Sequence, residues 1–441
     1  MEKRCSFRSF FLGGFECSTH KLRDGRRLDL TAATRHDALA ERDYRFVQQY
    51  GFRTVRDGIR WHLIERSSGR YDWSSALPMI RSAREARIQV IWDLFHYGYP
   101  DDVDIFSAAF VDRFERFVRA FARMYASEFG RDAELYVCPT NEISFFSWGG
   151  GEAGCLNPFA TGRGFELKRQ LARANVAAVE AVWEHMPRAR IVQIDPAIHI
   201  TADPATAAQS HLLDAERQRQ YMFQAWDMIA GRICPELGGR AEYLDIVGVN
   251  YYVQNQWLHK QHTIYRGHRL YRPLALIVAE LWQRYGRPLF IAETGIEDDL
   301  RAPWLRYVCD EVADALRMHV PVEGVCLYPV VNHPGWDDAR HCCNGLLDYC
   351  DDSGERQAHT PLAEEILRQD RRMTALWDAL TRETRAHEAF CPVSEGWTER
   401  RRRYHEKSVP FTGERPALPV SPALGIRVPE TAAPHESFRE D

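Results

Sequence analysis

The sequence has no apolar run near the roughly 20 residues needed to cross a bilayer. Its basic start, Met1 to Cys5, reaches Gly13 and Gly14 before an export signal's apolar core can develop. The expectation is a cytoplasmic protein without a membrane partner. Nor is there a basic excess: 57 Lys plus Arg stand against 62 Asp plus Glu, a net charge of −5. This balance argues against a dedicated nucleic-acid binder. The eleven cysteines form no repeating pattern, so reduced thiols are expected. His341, Cys342, Cys343 and Cys350 lack any recognised zinc spacing, and no metal is expected there. No GxGxxG or GxxxxGK[ST] follows the first apolar segment, which weakens dinucleotide and nucleotide readings.

What is present is a strict alternation. Short apolar, β-branched or aromatic runs at 10–15, 54–60, 89–95, 135–139, 190–195, 245–250, 289–292 and 324–328 predict strands. Helical spacing predicts helices over 38–50, 75–87, 106–124, 165–185, 212–233, 273–285, 304–319 and 361–380. In the third of these, Phe106, Phe110, Phe114, Phe117, Phe121 and Met124 form one stripe, closed by Gly130 as a C-cap. An open doubly wound sheet alternates in the same way, but without its glycine-rich turn the pattern favours an α/β fold of the (β/α)8 TIM barrel type. The catalytic domain is placed at 1–380. Prolines from Pro392 to Pro434 and the basic run at 400–403 predict an extended, polar C-terminal tail over 381–441.

In such a barrel the chemistry sits just beyond the C-terminal ends of the strands. The fourth run leads into Asn141-Glu142 and the seventh into Glu293-Thr294-Gly295. Two carboxylates facing one another across a barrel mouth suit acetal hydrolysis: one protonates the leaving oxygen and the other supports charge at the anomeric carbon.

These segments resemble the clan A retaining glycoside hydrolases, most nearly the family 1 β-glucosidases. The resemblance implies Glu142 as acid/base and Glu293 as nucleophile. Four further segments extend it. Val55-Arg56-Asp57-Gly58-Ile59-Arg60-Trp61 is similar to Tyr-Arg-Phe-Ser-Ile-x-Trp, which implies Arg56 beside the nucleophile, keeping it ionised. Leu94-Phe95-His96-Tyr97-Gly98-Tyr99-Pro100 resembles Leu-Tyr-His-Trp-Asp-Leu-Pro and implies His96 as a sugar contact. Asp245-Ile246-Val247-Gly248-Val249-Asn250-Tyr251-Tyr252 resembles Asp-Phe-Ile-Gly-Ile-Asn-Tyr-Tyr, implying substrate-site roles for Asn250 and Tyr252. Trp336 falls where the family has the Trp that follows its eighth strand. Asn141 is expected to bond the sugar 2-hydroxyl in the transition state.

The sequence departs from the family at two glycone contacts. His20-Lys21 stand where the family has a hydroxyl-binding Gln, and Gly335 where it has a Glu for the distal hydroxyls. A glycone other than plain glucose is therefore expected. Lys21, with His20, Arg60 and Asp337-Asp338, is a candidate contact for a carboxylate- or phosphate-bearing sugar. Trp61, Tyr97, Tyr99, Phe145, Phe146 and Trp148 are candidate stacking aromatics, and 144–154 reads as a mobile substrate loop. The expected reaction is double displacement on a β-glycoside without cofactor, the carboxyl groups lying about 5–5.5 Å apart. A transglycosylase of the same mechanism and a non-catalytic carbohydrate-binding barrel are the alternatives.

Overall fold

The computed structural model describes residues 6–336 and 340–390. Eight strands close into one barrel: β1 (Phe11–Gly14), β2 (Thr54–Gly58), β3 (Gln89–Asp93), β4 (Tyr136–Cys138), β5 (Arg190–Pro196), β6 (Ile246–Asn250), β7 (Leu289–Thr294) and β8 (Val322–Leu327). Each is parallel to its neighbours, and β1 pairs with both β2 and β8 to complete the ring. The expected (β/α)8 barrel is thus the observed fold.

Alternation along each strand sorts the side chains into two layers. Leu12, Ile91, Tyr136, Cys138, Val192, Ile194, Ile246, Phe290, Ala292 and Cys326 fill the barrel interior. Their neighbours Phe11, Val55, Trp92, Val137, Ile191, Val247, Ile291 and Val325 pack outward with the helices. The Phe stripe lies on helix Ala108–Phe129, where Phe110, Phe114, Phe117 and Phe121 are buried. Gly130, at φ 90°, ends that helix and returns its N–H to the Ala126 carbonyl at 2.8 Å. A side chain would resist that backbone angle.

Two predicted helices differ. The 212–233 stretch is split into Gln209–Arg219, a tight turn over Gln220–Phe223 and Gln224–Ile229. Its first part is largely polar, while Met222, Phe223, Trp226 and Ile229 are buried, so the turn lets the apolar part redirect into the core. The last helix, Thr360–Phe390, runs past the boundary drawn at 380. The remainder of the predicted tail lies outside the described residues. Among the described residues no helix is long and apolar enough to cross a membrane.

Candidate active site

Strand parity alone would send Glu293 outward, because Leu289 and Ile291 face the helices while Phe290 and Ala292 face inward. The pairing of β6 with β7 instead slips between Val249↔Ile291 and Asn250↔Glu293. One extra residue on β7 is a bulge, which re-aims the next side chain. Glu293 then meets Arg56, whose Nη1 donates to Oε1 at 2.9 Å, and Tyr252, whose hydroxyl donates to Oε2 at 2.9 Å.

Glu142 is also re-aimed by its backbone. At φ 47° it precedes the short helix Ile143–Phe146, and its N–H bonds the Ile194 carbonyl at 3.1 Å. Asn250 Nδ2 donates to its Oε1 at 2.8 Å, and the Tyr97 hydroxyl bonds its Oε2. Burial, with the nearby Glu293 charge adding to it, pushes the Glu142 carboxyl up to about 8, against the lowering effect of those two donors.

Arg56 is joined to Glu293 directly and to Glu142 only through Asn141 and Tyr97. Buried in the barrel, it also reaches the Ala292 carbonyl at 3.0 Å, Asp93 Oδ2 at 2.6 Å and Asn141 Oδ1 at 3.1 Å. Asn141 Nδ2 lies 3.3 Å from the Tyr97 hydroxyl and 3.2 Å from His96 Nε2. His96 Nδ1 faces Asp93 Oδ2 at 3.1 Å. Burial alone would depress the imidazole, but its bond to Asp93 and the Glu16 charge outweigh that and raise it. Glu142, Glu293, Arg56, His96, Asn141, Asn250 and Tyr252 therefore form one connected cluster. Trp336 joins its edge, 5.7 Å from the Tyr97 ring and 5.1 Å from His20 between centroids.

Lys21 is placed differently. Its ammonium pairs with Asp101 at 3.1 Å, and Arg27 bonds the same carboxylate. Arg60 pairs with Asp29 at 3.2 Å and Asp37 at 2.8 Å. Among the described residues neither is joined to the cluster; Asp337 and Asp338 lie outside them. Trp61 is not at the mouth but in the helix layer, stacked on Phe117 at 5.2 Å with its indole N–H on Glu65. Tyr99 and Phe146 are likewise buried against Phe95. The 144–154 segment is packed rather than open. It forms helical turns through Glu152 with Gly149, Gly150 and Gly151 buried, and a Cβ on Gly149 would stand 2.8 Å from Leu156.

Three acidic residues of this region were not singled out from sequence. Asp93 bridges Arg56 and His96. Asp195, at the end of β5, accepts the Ser144 N–H at 2.8 Å and so holds the turn that follows Glu142. Burial pushes Asp195 up to about 6. Glu16 lies 3.9 Å from His96 Nε2. A carboxylate following an apolar run, the signal that found Glu142 and Glu293, also precedes Cys17 after β1. Cys17 Sγ, Asp93 Oδ2 and His96 Nδ1 lie within 4.8 Å of one another. The Arg56 guanidinium already occupies that Asp93 oxygen, and burial pushes the Cys17 thiol well up. The trio reads as a hydrogen-bond knot beneath the site, since a metal ligand must be a thiolate clear of competing cations.

A closed parallel barrel with carboxylates gathered at the C-terminal ends of β4 and β7 defines the class to which the chain's architecture belongs, the (β/α)8 barrels. Within that class it is similar to a β-glucosidase from Thermotoga maritima. The complex of that enzyme with glucoimidazole matches at a TM-score of 0.66 and 15% identity, over 82% of this chain and 98% of the other. The family 1 β-glucosidase of the same organism matches at 0.65 and 15%, over 84% and 99%. Its complex with deoxynojirimycin gives 0.65 and 14%, over 83% and 99%. The likeness is one of fold. No family model and no curated protein sequence matches the chain.

Proposed function

We propose that the protein is a retaining β-glycoside hydrolase. The observation that carries the reading is the asymmetry of the paired carboxyls: burial and a neighbouring charge hold a proton on Glu142, while Arg56 and Tyr252 donate to Glu293. In the first step Glu142 gives its proton to the leaving oxygen as the bond from that oxygen to the anomeric carbon breaks. A Glu293 oxygen attacks the same carbon and forms an ester. The ester carries no charge, so the main electrostatic reason for Glu142 to hold a proton is gone and it serves as a base. It takes a proton from water, the hydroxide oxygen bonds the anomeric carbon, and Glu293 leaves as carboxylate. Tyr97 is a positioning residue here, since its hydroxyl can donate to the carboxylate or accept from the acid. A sugar hydroxyl in place of water gives transglycosylation by the same steps.

The test is incubation with 2-deoxy-2-fluoro aryl β-glycosides followed by peptide mass spectrometry. Label on Glu293, with turnover of the parent glycosides lost in Glu293→Gln, is expected. Label on another residue, or undiminished turnover in that variant, overturns the assignment.

A further inference from the structure

Beside the reacting carboxyls lies a group of polar side chains to which the mechanism gives no task. Glu16 is buried, and its Oε1 accepts both the Ser18 N–H, at 2.9 Å, and the Ser18 hydroxyl. No described residue donates to its Oε2. His20, only 1% exposed, has neither ring nitrogen in a hydrogen bond among the described residues. It packs edge-on to Trp336 and 6.3 Å from the Tyr97 ring, against the residue that bonds Glu142. The two ring nitrogens of His20, a donor and an acceptor buried without partners, each weigh against folding, so the site is built for something that supplies the missing bonds.

We infer that Glu16 and His20 form the wall that recognises the glycone, and that the glycone is an uncharged sugar gripped through its hydroxyls. This rests on the hydrolase reading above. Burial pulls the His20 imidazole down to about 4, so at neutral pH it presents one donor and one acceptor. A hydroxyl has both complements. Glu16 offers only an acceptor, and the nearby His96 and His333 draw its carboxyl downward despite burial. It therefore takes a hydroxyl proton and repels a carboxylate or phosphate. The cations that would be needed for an acidic sugar are engaged: Lys21 and Arg27 on Asp101, Arg60 on Asp29 and Asp37, and Arg56 on Asp93 and Glu293.

The experiment compares 4-nitrophenyl β-glucoside, β-galactoside and β-xyloside with 4-nitrophenyl β-glucuronide and β-glucoside 6-phosphate. Affinity is measured by calorimetry on the Glu293→Gln protein, where turnover plays no part, and kcat/KM on the protein with Glu293 intact. At least one neutral glycoside should bind about tenfold or more tighter than both acidic ones. Glu16→Gln, nearly isosteric, should shrink that ratio about tenfold, and His20→Phe should weaken the neutral ligands. Lys21→Gln should leave the ratio unchanged. Tighter binding of an acidic glycoside, no binding of any neutral one, or a ratio insensitive to Glu16→Gln in a protein of unchanged melting temperature overturns the inference. Selective binding with no turnover by the protein with Glu293 intact would instead sink the hydrolase reading and leave the wall's selectivity standing.

Discussion

Arg56 and Glu293 meet inside the barrel through a 2.9 Å bond from Nη1 to Oε1, while the other arm of the same guanidinium holds Asp93 at 2.6 Å. A fork with two occupied arms is not reproduced by an ammonium. Arg56→Lys is expected to lower kcat/KM by about 100-fold or more, because Glu293, the attacking group of the proposed mechanism, loses its aim. Arg56→Ala leaves Asp93 buried without its cation and should destabilise the fold by about 3–5 kcal/mol. Steady-state kinetics and denaturant melts read the two effects separately.

The proposed mechanism requires a proton on the Glu142 carboxyl for its first step, so kcat/KM is expected to fall as pH rises through about 8. The Tyr97 bond favours the ionised form. Tyr97→Phe should move that alkaline limb to higher pH, and Glu293→Gln should move the Glu142 titration lower by removing a like charge. Profiles of kcat/KM for Tyr97→Phe and carboxyl NMR for Glu293→Gln check the two opposite signs.

A second titration bears on stability. His36 lies stacked on Phe15 between Asp43 and Asp57, at 2.7 and 2.9 Å. Burial opposes its charge, but the Asp57 charge and the two hydrogen bonds prevail and raise it to about 9. A folded value above the free imidazole's roughly 6.5 means that the stabilisation is full below that pH and is lost as pH climbs through 9. It amounts to roughly 3 kcal/mol. His36→Gln should lower the melting temperature at pH 6 and flatten its dependence between pH 6.5 and 9.

Gly14 of β1 faces Tyr328, and a Cβ there would stand 2.0 Å from the ring. That ring lies 5.0 Å from the Arg56 guanidinium carbon. Gly14→Ala is expected to destabilise the protein by about 1–3 kcal/mol through overpacking and to reduce kcat/KM by displacing Arg56. A thermal melt with kinetics on the same preparation tests both.

Period-two and helical patterning made the barrel legible, and the residues just past each strand end located Glu142 and Glu293. The motif matches added Arg56, His96, Asn141, Asn250 and Tyr252, all of which the structure brings together. The features that escaped depended on distant partners. Lys21 looks like a free cation until Asp101 is folded beside it. Trp61 looks like a rim aromatic until the Phe stripe of helix Ala108–Phe129 closes over it. Asp93 acts through Arg56 on β2 and Asp195 through Ser144 in the turn after β4, pairings that no local pattern displays. Glu16 was accessible to the same rule that found Glu142 and Glu293, had it been applied to the first strand.

The extra residue that β7 carries opposite Asn250 makes the reaction vulnerable to an event smaller than any substitution. Were the bulge smoothed into regular pairing, with Asn250 opposite Ala292, Glu293 would turn toward the helices in a chain that still holds every residue in its original order. An inventory of side chains would pass such a protein as intact. Its barrel would have lost one of its paired carboxylates to a frame of one.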